Sequence, residues 1–146
     1  MEFFASIKES IPDYAKDIRL NLDAVISRSS LSPEDAVGSA LAAAYAAKSK
    51  FLIDAFKSGL SDTDANAALT AAALMGMNNV WYPYPEMSDD AQLKTLAPQL
   101  RMNAYATHGG VDKKRFELFA LVASIIGKCH FCVKSHYATL KQEGLS

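Results

Sequence analysis

The stretch SPEDAVGSALAAAYAA, Ser32 to Ala47, reads as one helix from end to end. Ser32 is a side-chain cap, and Pro33 fits the first helical position, where a missing amide is harmless. Glu34 and Asp35 sit at the positive end of the helix dipole. Seven of the twelve residues from Ala36 to Ala47 are alanine, the best helix former and small enough for close contact between helices. Working outward, residues 50 to 58 continue as helix and Gly59 stops it. Ser61-Asp62-Thr63-Asp64 opens a further helix through about Asn78, which Trp81-Tyr82-Pro83-Tyr84-Pro85 must break. Toward the N-terminus, Ile11, Tyr14, Ala15, Ile18, Leu22, Val25 and Ile26 form one helical stripe between Ser10 and Ser29, with Ser10 as its N-cap. Toward the C-terminus, a short polar helix is expected from Asp89 to near Pro98, and Gly109-Gly110 marks a turn. Asp112 caps a helix from Lys113 to Ile126, Gly127 interrupts it, and a last helix runs from about Lys128 to Gly144. No strand-like alternation occurs, and the predicted fold class is all-α.

Composition narrows the function. The 146 residues suit one domain, and 50% hydrophobic with 21% charged residues excludes disorder. Fifteen basic against sixteen acidic residues leave no positive excess for nucleic acid. The N-terminus lacks the basic and apolar regions of a secretory signal, and the longest charge-free stretches fall short of a membrane span. A cytoplasmic protein is expected. In that setting the two cysteines, Cys129 and Cys132, read as catalytic, redox-active or metal-binding rather than structural.

A faint internal repeat runs through the chain. Sliding Ser32–Ser61 onto Glu117–Ser146, an offset of 85, pairs Val37 with Val122, Ser39 with Ser124 and the two Gly-Leu-Ser ends. On that register Ala44 and Ala47 occupy the cysteine positions and Phe51 that of His136. A single domain is expected, with a degenerate repeat at about 32–80 and an active repeat at about 113–146. The first copy adds a helix after its Gly-Leu-Ser, so a further helix is expected beyond Ser146.

Chemistry concentrates in Cys129-His130-Phe131-Cys132-Val133-Lys134-Ser135-His136. On a helix, Cys129, Cys132 and His136 share one face, and Gly127 places Cys129 near the N-terminus, where the dipole stabilises a thiolate. His136 can move protons near neutral pH. Glu117 interrupts an apolar stretch one helix earlier and needs a partner if buried; the turn at Gly127 is expected to fold it toward Cys129. This pattern supports thiol redox chemistry, in which one thiolate becomes a sulfenic acid that its neighbour resolves to a disulfide. Two readings stand beside it. Cys-x2-Cys-x3-His with His108 or His130 is a possible zinc ligand set, although only one knuckle is present; the same cysteines would also serve a general protein disulfide oxidoreductase. His130 reads as a surface residue. Trp81, Tyr82 and Tyr84 are expected in the core rather than around a substrate, and Met75, Met77 and Met102 as packing. Lys113-Lys114-Arg115 reads as a solvated first turn.

These stretches resemble the AhpD family of the carboxymuconolactone-decarboxylase-like superfamily. The resemblance rests on Met77-Asn78-Asn79-Val80-Trp81-Tyr82, Leu100-Arg101-Met102-Asn103, Phe116-Glu117-Leu118 and the spacing of Glu117, Cys129, Cys132 and His136. It implies a two-repeat helical fold assembled as a homotrimer, and antioxidant reduction of alkyl hydroperoxides. No cofactor would be bound. The implied reductant is dihydrolipoamide on a lipoyl-carrying acyltransferase, and the peroxiredoxin AhpC is an implied partner. Cys132 would attack the peroxide and become the sulfenic acid, Cys129 would be the resolving thiol and proton donor, and Glu117 and His136 would relay protons. The chain departs from some members in carrying Phe131 where they have histidine, with His130 one position earlier. The family also runs about one helix further than Ser146.

Overall fold

A computed structural model describes residues 2–145. Regular structure among them is helical: α1 (Glu2–Ser10), α2 (Lys16–Leu22), α3 (Pro33–Ala46), α4 (Lys50–Ser58), α5 (Asp62–Trp81), α6 (Tyr84–Ser88), α7 (Asn103–Ala106), α8 (Lys113–Ile126) and α9 (His130–Gln142). The all-α expectation holds. The predicted caps are in place. Ser32 Oγ accepts the Asp35 amide at 3.1 Å, Ser61 Oγ that of Asp64 at 3.2 Å, and Asp112 Oδ1 that of Arg115 at 2.8 Å. Among the described residues, no helix is long and apolar enough to cross a membrane.

α3, α5 and α8 pack on one another through small residues, among them Ala42, Ala68, Ala71, Ala120 and Ala123, which let the helix backbones approach closely. At Gly38 a Cβ would overlap the Phe119 ring, so the glycine is required by contact rather than by backbone conformation. Leu41, Met75, Phe116 and Phe119 are fully buried and fill the space between the three helices. α1 closes one end, with Phe4 and Ile7 buried and Phe3 set edge-on against Phe56 at 6.2 Å.

Three expectations are corrected. The stripe from Ile11 to Ile26 is not one helix. α1 ends at Ser10, whose hydroxyl donates back to Ile7 O at 2.7 Å instead of capping a start. Pro12 has no amide and sits extended (φ −70°, ψ 162°), a 3-10 turn follows at Asp13–Ala15, then α2, then a π-helical turn at Asp23–Ser27. Of the stripe only Ile26 is buried, while Tyr14, Ile18 and Val25 are exposed. Second, the Pro83 and Pro85 pair that ends α5 also starts α6, since proline is favourable in a first turn. α6 stops at Asp89 in the left-handed region (φ 52°), and the predicted polar helix is reduced to a 3-10 turn at Leu93–Thr95.

The third correction concerns the repeat. The α3–α4 and α8–α9 hairpins superpose in sequence at an offset of 80, not 85. α3 and α8 are 14 residues each and start at 33 and 113; α4 and α9 start at 50 and 130. Lys48 and Lys128 both take a left-handed turn, at φ 61° and 58°. Ser49 N bonds Ala44 O at 3.1 Å where Cys129 N bonds Ser124 O at 3.2 Å. α9 is 13 residues long against 9 for α4, and that extra turn is what displaces the Gly-Leu-Ser match. Its last residue, Ser146, lies outside the described residues. In this register Cys129 faces Ser49, Cys132 faces Leu52, His136 faces Phe56 and Glu117 faces Val37.

Candidate active site

The turn between α8 and α9 brings the two cysteines together. Gly127 N closes α8 on Ala123 O at 2.9 Å, Lys128 reverses the chain through its left-handed conformation, and Cys129 becomes the N-cap of α9. Its sulfur accepts the Cys132 amide at 3.2 Å. A thiolate there gains both that hydrogen bond and the positive helix end. Cys129 and Cys132 are joined in a disulfide and are both buried, and Cys132 Sγ lies 3.8 Å from Asn78 O on α5.

One turn along α9, His136 points into the protein on the same face as Cys132. Its Nδ1 is 2.6 Å from Glu117 Oε2 and its Nε2 3.1 Å from Met75 Sδ. Glu117 and His136 are only 2% and 6% exposed, so the carboxylate depends on its internal partners. A second partner comes from α7: the Tyr105 hydroxyl donates to Glu117 Oε1 and lies 3.4 Å from His136 Nδ1. Burial by itself raises the Glu117 carboxyl. The hydrogen bonds from His136 and Tyr105, with the charges of His136 and Lys113, outweigh burial and hold it below the usual glutamate value. Burial and the same carboxylate push the Tyr105 hydroxyl well above its ordinary value, so it remains a donor. A carboxylate accepting on both oxygens assigns the His136 proton to Nδ1.

Two pairs therefore lie along one face of α9: the sulfurs, and His136 with its partner Glu117 from α8. The expectation that Glu117 turns toward Cys129 is corrected. Its carboxylate goes to His136 and Tyr105, and among the described residues no hydrogen bond joins either sulfur to Glu117 or His136. The reason is reach: α8 and α9 run side by side, which brings position 117 opposite position 136 rather than opposite the turn.

His130 is exposed, as expected. Phe131 stacks on Tyr82 with ring centroids 4.3 Å apart, and the two rings with Lys128 and His130 line a cleft of about 360 Å³. None of Trp81, Tyr82 and Tyr84 is buried, which corrects their placement in the core; the two prolines hold this segment at the surface beside the redox turn. His108 rests against the Phe116 ring, and among the described residues no three His, Cys, Asp or Glu side chains converge as metal ligands. Arg115 is also not simply solvated: it bonds Asp35 at 2.7 Å and Asp64 at 3.0 Å, while Lys113 pairs with Glu143 at 3.4 Å.

Sequence reasoning missed Tyr105 altogether and read Met75 only as packing. Tyr105 lies twelve residues before Glu117 on a four-residue helix, where no periodicity marks an inward side chain. Met75 is indeed fully buried, and nothing in a helical stripe distinguishes a sulfur that meets an imidazole from one that fills space.

Comparison with known proteins gives the family. A profile of the Carboxymuconolactone decarboxylase family matches residues 91–146. The chain is 42% identical over 144 residues to a Bradyrhizobium protein named alkyl hydroperoxide reductase AhpD, covering 96% of this chain and 79% of that protein. Proteins of the same name from Rhodospirillum centenum and Coxiella burnetii are each 39% identical, covering 97% and 95% of this chain and 77% and 82% of theirs. At such identity over nearly its whole length, the chain belongs to the AhpD family.

Proposed function

We propose that this protein is an antioxidant thiol peroxidase that reduces alkyl hydroperoxides through Cys129 and Cys132, with dihydrolipoamide as reductant. The observation that carries the reading is a dithiol–disulfide pair at a helix N-terminus, one turn from a buried Glu117–His136 pair. In the reduced protein the Cys132 proton passes to the His136–Glu117 pair, and the Cys132 thiolate attacks the terminal oxygen of the hydroperoxide. The O–O bond breaks, Cys132 becomes a sulfenic acid, and the departing alkoxide takes the Cys129 proton to leave as the alcohol. Cys129 is now a thiolate held by the Cys132 amide. It attacks the sulfenic sulfur, the disulfide forms, and hydroxide leaves as water with the proton returned by the relay. Dihydrolipoamide then reduces the disulfide by thiol exchange and is itself oxidised to the cyclic disulfide.

A lipoyl-carrying acyltransferase is the proposed electron donor. Lys128, His130 and Lys134 flank the turn with no acidic residue between Lys128 and Lys141, and with Glu86 across the adjoining cleft, which suits a partner surface that is mainly acidic. The peroxiredoxin AhpC is a proposed second partner, the cytoplasm the proposed compartment, and the exposed Tyr14, Ile18 and Val25 a surface available to a homotrimer. The experiment is peroxide consumption with dihydrolipoamide and an alkyl hydroperoxide, beside Cys132→Ser. Turnover abolished in the variant supports the reading. Full turnover in the variant overturns the role of Cys132, and no turnover from a folded, fully reduced protein overturns the peroxidase assignment in favour of zinc binding or protein-disulfide exchange.

A further inference from the structure

We propose that Tyr105 is a positioning residue for the Glu117–His136 pair: its hydroxyl holds the Glu117 carboxylate with Oε2 turned to the His136 Nδ1–H, fixing the imidazole in one orientation with its proton at that nitrogen. The inference rests on the reading of this pair as the proton relay, and it adds a residue that spacing did not reveal.

The geometry carries it. Glu117 has two oxygens and two donors: His136 Nδ1 serves Oε2 and the Tyr105 hydroxyl serves Oε1. Among the described residues, Glu117 Oε1 has no other hydrogen-bond donor. α5 presents Met75, whose sulfur has no proton to give and already faces His136 Nε2. On α8 the nearest charge is Lys113, half exposed and paired with Glu143. α9 contributes His136 and, when reduced, the Cys132 thiol. Without Tyr105 a buried carboxylate oxygen is left bare, and the side chain is free to turn either oxygen toward the imidazole.

Tyr105 is itself well anchored. Its ring packs edge-on against the fully buried Phe116 at 5.5 Å. α7 is tied down by the turn that follows, where Gly110 N bonds Thr107 O at 3.1 Å and Gly109, at φ 60°, passes against Ala67 with no room for a freely placed side chain. The half-buried hydroxyl is thus held in place over a carboxylate that is almost inaccessible, with its own proton secured by burial and by that carboxylate.

The test is Tyr105→Phe, which keeps the ring on Phe116 and removes only the hydroxyl. Side-chain NMR of the oxidised protein follows the Glu117 carboxyl carbon and the His136 ring nitrogens through a pH titration, with no substrate present. In the variant the Glu117 midpoint is expected at higher pH, because the anion has lost a donor, and the His136 nitrogens at an averaged tautomer. Peroxide turnover is expected to fall about tenfold in kcat with KM unchanged, the acid limb of the pH profile moving to higher pH. Incorporating 3-fluorotyrosine at position 105, a stronger donor of nearly the same shape, must move the Glu117 midpoint the opposite way. An unchanged midpoint and tautomer in both variants overturns the proposal. If the wild-type protein fails to turn over peroxide, the function proposed above falls, and the NMR titration still decides the role of Tyr105.

Discussion

In the α3–α4 hairpin Ser49 caps the second helix with its hydroxyl, accepting the Leu52 amide at 3.3 Å; in the α8–α9 hairpin Cys129 does so with its sulfur, accepting the Cys132 amide at 3.2 Å. The agreement extends through the turn. Both have a left-handed lysine, and both have a 2.9 Å bond from the residue four past the cap, Ile53 or Val133, to the cap carbonyl. Many side chains differ, and among them four positions carry the chemistry: Ser49, Leu52, Val37 and Phe56 in one hairpin, Cys129, Cys132, Glu117 and His136 in the other. The backbone therefore does not make the chemistry. It supplies a helix N-terminus and a buried face, and the side chains decide whether that face is a sulfur site with a proton pair or an ordinary piece of core. Even the ion pair between the hairpins follows this register, since Asp35 and Arg115 occupy equivalent first-turn positions and bond to each other at 2.7 Å.

The sharpest way to break the comparison is to move the α3–α4 residues into the α8–α9 hairpin. Glu117→Val with His136→Phe imports the Val37 and Phe56 pair. Peroxide turnover is expected to drop by about a hundredfold or more. The stability pattern is as diagnostic: each single substitution leaves a buried polar partner unpaired and costs about 1–3 kcal/mol in denaturant unfolding, while the double variant recovers much of that loss. Additive losses would show that the two side chains do not act as a pair. The reverse transfer is milder. Ser49→Cys with Leu52→Cys places two sulfurs on the same backbone as Cys129 and Cys132, and a disulfide is expected by thiol titration under mild oxidation. No added peroxide turnover is expected, because Val37 and Phe56 supply no proton relay. Free thiols that resist oxidation would show that the two turns differ in a way their hydrogen bonds do not reveal.

A smaller effect concerns the link between the hairpins. Arg115 bonds both Asp35 on α3 and Asp64 on α5 from a position that is about one quarter exposed. Arg115→Ala is expected to cost about 1–2 kcal/mol in the unfolding free energy, and Arg115→Lys somewhat less, because an ammonium cannot serve two carboxylates with a fixed fork. An unchanged midpoint in Arg115→Ala would reduce this bridge to surface decoration.

The helices were legible because their signals are local. Ser32-Pro33, Ser61 and Asp112 mark starts that need no tertiary information, and alanine spacing marks the packed faces. The N-terminal stripe failed in its helix type: the chain turns helical at Asp13, just past Pro12, but runs through a 3-10 turn, α2 and a π-helical turn, and hydrophobic spacing does not register that change. The repeat register failed for a related reason. A terminal Gly-Leu-Ser identity outweighed cap positions in the sequence comparison, whereas in the structure the cap and the left-handed lysine fix the equivalence. In the site, Cys129, Cys132 and His136 follow from helical periodicity and share a face as expected. The partner of Glu117 did not follow, since it depends on how two helices lie side by side, and Tyr105 reaches the site from a separate element.

The finest distinction between the hairpins is electrostatic. Val37 cannot titrate, while Glu117 titrates with a folded-state value held below its ordinary 4.5 by the His136 and Tyr105 hydrogen bonds against the opposing effect of burial. For a carboxyl depressed in this way the unfolded chain binds its proton first. The stabilising contribution is therefore fully present above the unfolded value and is lost as the pH falls through the folded one. The expected observation is an added decline in the thermal midpoint of the oxidised protein as pH is lowered from 5 toward 3, absent in Glu117→Gln and unchanged by substitution at Val37. Because burial opposes the hydrogen bonds, the net depression is the difference of two larger effects, and this is the smallest of the expected changes. A decline of equal size in wild type and Glu117→Gln would assign the acid sensitivity to other groups. It would leave Glu117 protonation without weight in the stability of the fold, and the contrast between the hairpins would then be one of reactivity alone.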